Sequence, residues 1–179
     1  MEIAVREAEP DDAEGIVRIL NPIIEARCYT ALDTPLTIEA ERDYLLNFPT
    51  RGIWKVAVRE SDQRRLGFQI VEPFATYTSA FDHVGTIGTY VDLEFSRQGI
   101  GRSLFGATFD AAWRKGYEKF FTFVRADNHA ALQAYLAQGF LTIGTARRHA
   151  RIDGRYIDEI LIEKLLMQEP LNPEKAPRL

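Results

Sequence analysis

The chain has 179 residues, 46% of them hydrophobic, and this length and composition suit one compact domain with a sizeable buried core. Its 22 basic and 26 acidic residues give a net charge of -4 without a basic block, which argues against a nucleic-acid partner. The chain shows neither a cationic leader with an apolar core nor an apolar run that could span a bilayer. We therefore expect a cytoplasmic protein with no membrane partner.

The single cysteine, Cys28, cannot form an internal disulfide. No pattern of His and Asn partners accompanies it, so we expect a small buried hydrophobic residue rather than a nucleophile. We predict no metal site.

The first 50 residues predict one strand and two helices. Alternating apolar and polar residues over Ile3–Glu7 indicate an edge strand. Apolar residues at helical spacing predict a helix over 13–27, which Pro22 should kink or divide because proline has no backbone N–H. A second helix is predicted from Thr37 until Pro49 stops it. This helix–loop–helix could cover a substrate.

The middle of the chain changes to strand patterns. Ile53–Arg59 and residues 66–72 are strand-like, and the polar segment 61–65 between them predicts a hairpin turn. A further strand is predicted over 84–93. It contains two interior glycines, which often mark a bulge or the close approach of a ligand.

The second half predicts a strand–helix–strand unit followed by a helix and a hairpin. A helix over 100–115 has a broad apolar stripe, and the almost entirely apolar run 120–124 is typical of a strand buried on both faces. With the preceding strand they form a right-handed βαβ unit, whose parallel pair should lie at the centre of the sheet. Residues 129–138 predict another helix, and 140–146 pairs with 156–166 through an Asp-Gly turn.

Organisation along the chain is simple. We find no internal repeat and no low-complexity segment. We predict one domain over residues 1–167 and a frayed tail over 168–179, where three prolines and mixed charge break every pattern.

The turn before the long helix predicts an anion site. Gly99 and Gly101 let the backbone approach a ligand without Cβ atoms in the way, while the first N–H groups and the dipole of the helix suit an anion. Arg97 and Arg102 bracket the glycines and add positive charge. The window lacks the Gly-Lys-Ser/Thr ending of a nucleotide-phosphate loop and the third glycine of a dinucleotide fingerprint. A phosphate cradle of another kind is predicted.

A second pattern follows the buried strand. Asn128 and Tyr135 are seven residues apart, about two helical turns, so their side chains share a face and can line one ligand. Taken singly, Asn128 also suits a helix cap, and Tyr135 also suits a core aromatic beside Ala131 and Leu132.

Together these two stretches resemble the GNAT N-acetyltransferases. Ser96-Arg97-Gln98-Gly99-Ile100-Gly101 is similar to the family's acetyl-coenzyme A pyrophosphate loop, Gln/Arg-x-x-Gly-x-Gly/Ala, with Ser96 at its first position and Arg97 beside it as a substitute. Residues 128–140 meet every named position of the family's Asn-x-x-Ala-x-x-x-Tyr-x-x-x-Gly-Phe run. Within the family, the chain looks most like phosphinothricin acetyltransferase and related enzymes.

The resemblance implies an α/β (α+β) fold with a mixed, mostly antiparallel central sheet of about seven strands, a splayed parallel central pair and helices on both faces. It also implies acetyl-CoA as the co-substrate and suggests a homodimer. The cofactor-binding residues are then predicted to be Val91, Leu93, Arg97, Gln98, Gly99, Ile100, Gly101, Arg102, Ser103, Asn128 and Tyr135.

The implied reaction is direct attack by an amine in a ternary complex. The Tyr135 hydroxyl is implied to lie beside the thioester sulfur as the acid, and a main-chain N–H beside Val91 is implied to be the oxyanion donor. The amides of Val91 and Leu93 would bind the pantetheine arm like an added strand, and Asn128 would hold it from the other side.

The general base is the open part of this hypothesis. The phosphinothricin enzymes carry a glutamate on this strand where Thr86 stands here. Glu72, His83 and His149 are candidate substitutes, and an amine of low pKa needs no dedicated base.

The acceptor pocket is predicted between the loops 29–35 and 74–81 and the last hairpin, where arginine would suit a carboxylate. Its substrate-binding residues are predicted to be Tyr29, Tyr77, Thr86, Arg148, His149 and Tyr156. The main hypothesis is N-acetylation of a small amino-acid-like amine. Two alternatives stay open: a protein N-terminal or lysine acetyltransferase, and a non-catalytic acyl-CoA sensor.

Overall fold

The computed structural model describes residues 1–166, so the predicted tail and its boundary lie outside the described residues. Within these described residues there are seven strands: β1 (Ile3–Glu7), β2 (Ile53–Arg59), β3 (Arg65–Pro73), β4 (Val84–Val91), β5 (Lys119–Arg125), β6 (Leu141–Ile152) and β7 (Arg155–Leu165). All seven belong to one sheet in the order β1-β2-β3-β4-β5-β7-β6. Every neighbouring pair is antiparallel except β4 and β5. The predicted fold class is confirmed.

In the described part of the chain, four α-helices cover the sheet: α1 (Ala13–Glu25), α2 (Ile38–Leu46), α3 (Ile100–Arg114) and α4 (His129–Leu136). Val56 of β2 is buried in one apolar cluster with α1, whereas its neighbour Ala57 is buried in another with Leu104 of α3. Because successive residues of a strand point to opposite faces, the helices lie on both faces. Helix α2 joins α1 on the α1–α2 face, and α4 joins α3 on the α3–α4 face. None of the helices within residues 1–166 is long and apolar enough to cross a membrane.

The sequence predicts that Pro22 kinks or divides helix α1; the helix is continuous through Pro22, so a division does not occur. The Ala26 N–H donates to the Pro22 carbonyl at 3.1 Å, which resumes the helical pattern one turn later. Burial of the apolar stripe that ends at Ile23 and Ile24 holds both halves on the sheet. The helix ends two residues before its predicted end at Arg27, and the φ of 58° at Arg27 lies outside the helical region.

Cys28 follows this helix end and is exposed. The expectation of a buried residue is therefore wrong. The residue lies in the connection between α1 and α2, and connecting segments run over the surface.

The parallel pair is short and then separates. Val84–Thr86 of β4 pair with Lys119–Phe121 of β5, and no pairing between the two strands follows. Beyond this point β4 stays with β3 as far as Val91, and β5 stays with β7 as far as Arg125. The gap between residues 87–91 of β4 and 122–125 of β5 is here called the central cleft. It confirms the predicted splayed central pair.

The final hairpin is longer than predicted, because β6 continues from residue 146 to Ile152. Pairing with β7 is irregular between Ala146 and Ala150, which interrupts the alternation that a sequence pattern needs. At the hairpin tip, Asp153 and Gly154 have φ values of 48° and 78°. Two consecutive positive φ values are typical of a type I′ turn, so the Asp-Gly prediction is confirmed.

Candidate active site

Alternate backbone N–H groups of β4 point into the central cleft. The Asp92 N–H donates to the Leu66 carbonyl of β3 at 2.9 Å, so Tyr90, two residues earlier, also directs its N–H towards β3. Because this direction alternates along a strand, the N–H groups of Thr89 and Val91 point towards the side that β5 has left. These donors can bind an extended ligand like an added strand, as predicted for Val91.

Leu93 lies beyond the end of β4, although the predicted strand reached it. It begins the 3-10 turn Leu93–Phe95, and the Asp92 carboxylate caps this turn by accepting from the Glu94 N–H at 3.1 Å. Arg18 holds the same carboxylate in an ion pair of 2.7 Å. The strand therefore ends at Val91 because a buried, paired aspartate turns the chain.

The glycine turn fits a diphosphate. Gly99 has a φ of 85°, a left-handed conformation that favours glycine, and it is the N-cap of α3. The first N–H group of the helix that donates to a backbone carbonyl is that of Ser103, which bonds to the Gly99 carbonyl at 3.1 Å. The N–H groups of residues 97–102 have no backbone acceptor within residues 1–166. A Cβ atom built on Gly99 or Gly101 would meet no heavy atom within 4 Å. Free donors therefore face open space at a helix N-terminus.

The two arginines beside this turn are exposed, and neither Arg97 nor Arg102 forms an ion pair among the described residues. Their charges are available to a phosphate. Ser96, at the atypical first position, donates its hydroxyl to the Leu93 carbonyl at 3.1 Å. That hydroxyl supports the turn, and the adjacent arginine supplies the charge.

Other predicted cofactor-binding residues offer backbone atoms rather than side chains. Ile100 is 1% exposed and packs in the core with Leu104, so only its N–H is available to a ligand. The Ser103 hydroxyl donates to the Gly99 carbonyl at 3.4 Å. Gln98 is exposed beside them.

Tyr135 reaches from α4 across the central cleft to β4. Its ring packs edge-on against Phe105 and Phe140, with centroids 5.3 and 5.0 Å away, and the residue is 7% exposed. Its hydroxyl oxygen lies 3.0 Å from the Thr89 hydroxyl oxygen. Burial raises the pKa of Tyr135 well above its ordinary value, so the phenol holds its proton at neutral pH. A buried protonated phenol suits a proton donor.

Two residues that the sequence analysis missed support this phenol. Gln69 of β3 is directly opposite Thr89 in the register, is fully buried, and donates through its amide nitrogen to the Thr89 hydroxyl at 2.7 Å. With this acceptor site of Thr89 filled, its own hydroxyl hydrogen can be donated to Tyr135. The Tyr135 hydrogen is then free for a ligand in the cleft. A glutamine within an apolar strand was the available signal.

Asn128 uses its side chain within the protein. Its carbonyl oxygen accepts from the Ala131 N–H at 3.1 Å and caps α4, and its amide donates to the Tyr29 carbonyl at 3.0 Å. The helix-cap interpretation is therefore what the structure shows. The second bond ties the connection between α1 and α2 to the start of α4.

The α1–α2 face of β4 carries the position of the expected base. Thr86 is directly opposite Glu72 of β3, and the Glu72 carboxylate accepts from the Tyr44 hydroxyl of α2 at 2.7 Å. Glu72 is half-buried, so the structure brings one of the three candidate bases to the start of the cleft.

The same face holds a partly buried tyrosine and a buried glutamate that the sequence analysis did not select. The ring of Tyr90 stacks on Phe68 at 4.9 Å, and a Cβ on Gly88 would lie 3.3 Å from that ring, so the ring runs back over Gly88. Burial raises the pKa of Tyr90, and the carboxylates of Glu41 and Glu72 raise it further, against a lowering hydrogen bond from Thr30.

Glu41 of α2 is 3% exposed. No hydrogen bond or ion pair to its carboxylate is present within residues 1–166. Burial raises the pKa of Glu41 from its ordinary 4.5 to about 7. A glutamate on a short helix is typical of a solvated surface, which explains why the sequence analysis passed over it.

The remaining candidate bases lie elsewhere. His83 is exposed and immediately precedes β4, and its carbonyl accepts from the Glu118 N–H at 2.9 Å. That position is at the paired end of β4 and β5, away from the cleft. His149 is exposed on β6 and lies edge-on to Phe123 of β5 at 6.2 Å.

The final hairpin gathers several of the predicted substrate-binding residues. The guanidinium of Arg148, which precedes His149 on β6, lies 4.0 Å from the ring centroid of Tyr156 on the neighbouring strand β7. Tyr29 is 45% exposed in the connection between α1 and α2. Tyr77, by contrast, is 83% exposed in the loop between β3 and β4.

A buried acid lies on the strand next to these residues. Glu159 of β7 is 1% exposed, and both of its carboxylate oxygens lack a hydrogen-bond partner in the described part of the chain. Burial raises the pKa of Glu159, while His149 and Arg125 oppose that rise. No group of three or more His, Cys, Asp or Glu side chains that could hold a metal ion occurs within residues 1–166.

Known proteins are similar to this chain in sequence and in fold. Residues 24–140 match the Acetyltransferase (GNAT) family. The chain is 27% identical over 167 residues to phosphinothricin N-acetyltransferase of Streptomyces coelicolor, covering 92% of this chain and 97% of that protein. It is 31% identical over 108 residues to the ribosomal protein bS18-alanine N-acetyltransferase of Escherichia coli K12, covering 56% and 72%.

A solved structure of a phosphinothricin acetyltransferase from Sinorhizobium meliloti in complex with acetyl-CoA superposes with a TM-score of 0.81 at 19% identity. The superposition covers 99% of this chain and 94% of the other. At this identity the likeness shows the fold.

Proposed function

The chain belongs to the acetyltransferase (GNAT) family, and from that premise we propose that it transfers the acetyl group of acetyl-CoA to the primary amine of a small amino-acid-like substrate. The observation that supports this proposal most is the central cleft. Unpaired β4 donors, the buried Tyr135 hydroxyl and the free amides of residues 97–102 all border it or its mouth.

The residues that would hold acetyl-CoA follow from this geometry. The amides of residues 97–102, with Arg97 and Arg102, suit the diphosphate. The N–H groups of Thr89 and Val91 suit the amide groups of the pantetheine arm. When bound, acetyl-CoA supplies an acetyl group activated as a thioester.

The chain then has three tasks: to admit a neutral amine, to stabilise an oxyanion and to protonate a thiolate. A cleft-facing N–H of β4 is the oxyanion donor, because its direction is set by the sheet before the substrate arrives. Tyr135 gives a proton to the leaving sulfur. An alkyl ammonium with a pKa of about 10.4 is deprotonated in only about one part in a thousand near neutral pH, so the first task needs a proton acceptor.

A small amino-acid-like acceptor is supported by the extent of the similarity to phosphinothricin N-acetyltransferase, which runs along nearly the whole of both chains. Arg148, held over Tyr156 by stacking, can receive a carboxylate at the predicted acceptor site. We assign Tyr29, Thr86 and His149 to the same proposed pocket, and we expect Tyr77 to join it only through movement of its loop.

A panel assay tests the proposal. Thiol release from acetyl-CoA is measured with phosphinothricin-type amino-acid analogues, ordinary amino acids and simple amines. We expect turnover with the amino-acid analogues and little without an amine. Turnover that is equal for every amine would contradict a dedicated amino-acid pocket.

A second function is favoured by one observation, the 31% identity to the bS18-alanine N-acetyltransferase. A peptide with N-terminal alanine, added to the same panel, distinguishes the two functions. A third possibility, an acyl-CoA sensor, is favoured by Thr86 at the expected glutamate position. The sensor function would be supported if calorimetry detects acetyl-CoA binding while no amine or peptide is acetylated. A homodimer and a cytoplasmic location stay predictions.

A further inference from the structure

The proposed reaction needs a proton acceptor on the α1–α2 face of β4, and the strand itself carries Thr86 there. Two carboxylates belong to that face: Glu72 of β3, directly opposite Thr86, and Glu41 of α2, which is buried. Glu72 already accepts a hydrogen bond from Tyr44. The Glu41 carboxylate has no hydrogen-bond or ion-pair partner within residues 1–166, although the residue is only 3% exposed. A buried carboxylate without a partner is unusual, because removing a charge from water is costly.

The orientation of α2 turns Glu41 towards the sheet. Thr37 caps the helix by accepting from the Ala40 N–H at 3.2 Å. Glu41 and Tyr44, three residues apart, therefore share one face of the helix. From that face Tyr44 packs edge-on against Trp54 of β2 at 5.3 Å and donates to Glu72 of β3. Glu41 is buried on the same side.

Glu41 is buried on the face of α2 from which Tyr44 contacts β2 and β3, the face of the sheet that also carries Thr86, Gly88 and Tyr90. Its carboxylate raises the pKa of the Tyr44 and Tyr90 hydroxyls. The Tyr90 ring covers Gly88, and Gly88 is the second residue after Thr86, where pairing with β5 ends. The carboxylate thus lies on the amine side of the strand, whereas Tyr135 reaches the same strand from the α3–α4 face.

We propose that Glu41 is the proton acceptor for the substrate amine. This inference rests on the proposed function. The carboxylate takes one proton from the substrate ammonium, and the neutral nitrogen then attacks the acetyl carbon. The new N–C bond forms as the C–S bond breaks. Tyr135 gives its proton to the departing sulfur, the nitrogen loses its second proton to solvent, and solvent returns one proton to the Tyr135 oxygen. Glu41 then releases the first proton to solvent, so the net reaction releases one proton.

The charges around Glu41 suit this role. Glu41 raises the pKa of Tyr44 on its own helix and of Tyr90 on β4, Glu72 of β3 acts on the same two hydroxyls, and none of these groups is a cation. On α1, the cation Arg18 is bound to Asp92 in an ion pair of 2.7 Å. Burial raises the pKa of Glu41 to about 7 without a compensating cation, and a base with a pKa near the working pH is the most efficient.

The test compares Glu41→Gln with Glu72→Gln in the full chain. The wild-type rate, expressed as kcat/KM, should rise with pH along a limb centred at about 7. Glu41→Gln should remove this limb and lower kcat/KM at neutral pH about 100-fold, the low end of what general bases contribute. Glu72→Gln should keep the limb. Calorimetric titration with acetyl-CoA should give wild-type affinity for both variants, because neither residue borders the glycine turn.

A second measurement does not depend on turnover. The pKa of Glu41 is raised by folding, so the stability that its protonated form contributes is complete below about 4.5 and is lost as pH rises through about 7. The melting temperature of Glu41→Gln should therefore fall less between these pH values than that of the wild type. Should Glu41→Gln fail to fold, Glu41→Asp, a shorter carboxylate, should keep the limb with a lower rate.

An unchanged pH profile and rate in Glu41→Gln would overturn this proposal while leaving the acetyltransferase function intact. A wild-type protein that releases no thiol with any amine or peptide would instead overturn the function. The melting comparison still reports in that case whether Glu41 is the buried titrating group.

Discussion

The two sides of the central cleft are built in different ways. The α3 entrance and the edge of β4 present mainly backbone N–H groups, positioned by one turn and one strand that are neighbours in the sequence. The opposite side draws Tyr29, Glu41, Glu72 and Arg148 from four separate elements or connections. A backbone site needs only glycines and a helix start, whereas a side-chain site depends on packing between distant segments. The first can therefore be recognised from a short motif and the second cannot.

The largest effect in this comparison should come from the group that crosses the cleft. Tyr135→Phe keeps the ring between Phe105 and Phe140 and removes only the hydroxyl that lies 3.0 Å from the Thr89 hydroxyl. We expect kcat to fall about 100-fold with little change in acetyl-CoA affinity, since the acid acts in the transition state. Steady-state kinetics and calorimetry measure the two effects, and an unchanged kcat would remove Tyr135 as the acid.

A smaller effect is expected in the glycine turn, where two alanine substitutions distinguish the loss of open space for a ligand from backbone strain. Gly101→Ala places a methyl group in open space at an ordinary helical position, so the fold should be as stable as wild type while acetyl-CoA affinity falls about tenfold. Gly99→Ala, its control, must also adopt a φ of 85° and should lose about 1–2 kcal/mol of stability. Thermal melts and calorimetry distinguish the variants. Wild-type affinity in Gly101→Ala would place the diphosphate elsewhere.

Asn128→Ala tests whether the two sides are linked. It removes the cap of α4 and the bond to the Tyr29 carbonyl, so we expect a loss of about 1 kcal/mol of stability. We also expect a higher KM for the amine, because the connection between α1 and α2 loses its tie. Asn128→Asp, which keeps the acceptor that caps the helix but loses the donor to Tyr29, should restore stability and leave the KM high. Equal KM values in all three proteins would argue that the tie has no role in acceptor binding.

The smallest effect should come from surface charge. Arg97→Ala and Arg102→Ala should each weaken acetyl-CoA binding severalfold at low salt, and the difference from wild type should shrink as salt rises. Because both side chains are exposed and make no ion pair within residues 1–166, stability should not change. Binding titrations at two salt concentrations measure this. Salt-independent losses would indicate a packing role instead.

Much of the fold could be predicted because its signals are local. The seven strands, the four helices and the splayed parallel pair follow from periodicity, turn residues and the family resemblance. Errors occurred where tertiary contacts overrode a local preference. Helix α1 continues through Pro22 because its apolar stripe is held on the sheet, and β6 extends to Ile152 because β7 pairs with an irregular stretch.

The candidate site divides in the same way. Gly99, Gly101 and Tyr135 could be selected from the sequence because each belongs to a contiguous pattern of a turn and a helix. Gln69 and Thr89 could not, because their link to Tyr135 joins two strands and a helix. Glu41 was missed for a related reason, since nothing in its own helix indicates that the carboxylate is buried.

By itself, the sequence determined that this protein has a glycine turn before a long helix, a tyrosine two helical turns from a capping asparagine, and a mixed sheet to carry both. These are properties of neighbouring residues, set by backbone conformation and helical period. Only the tertiary structure decided which hydroxyl reaches β4, which carboxylate is taken out of water, and which histidine lies away from the cleft. Distances and desolvation between segments far apart in the chain set these properties, and no local pattern encodes them.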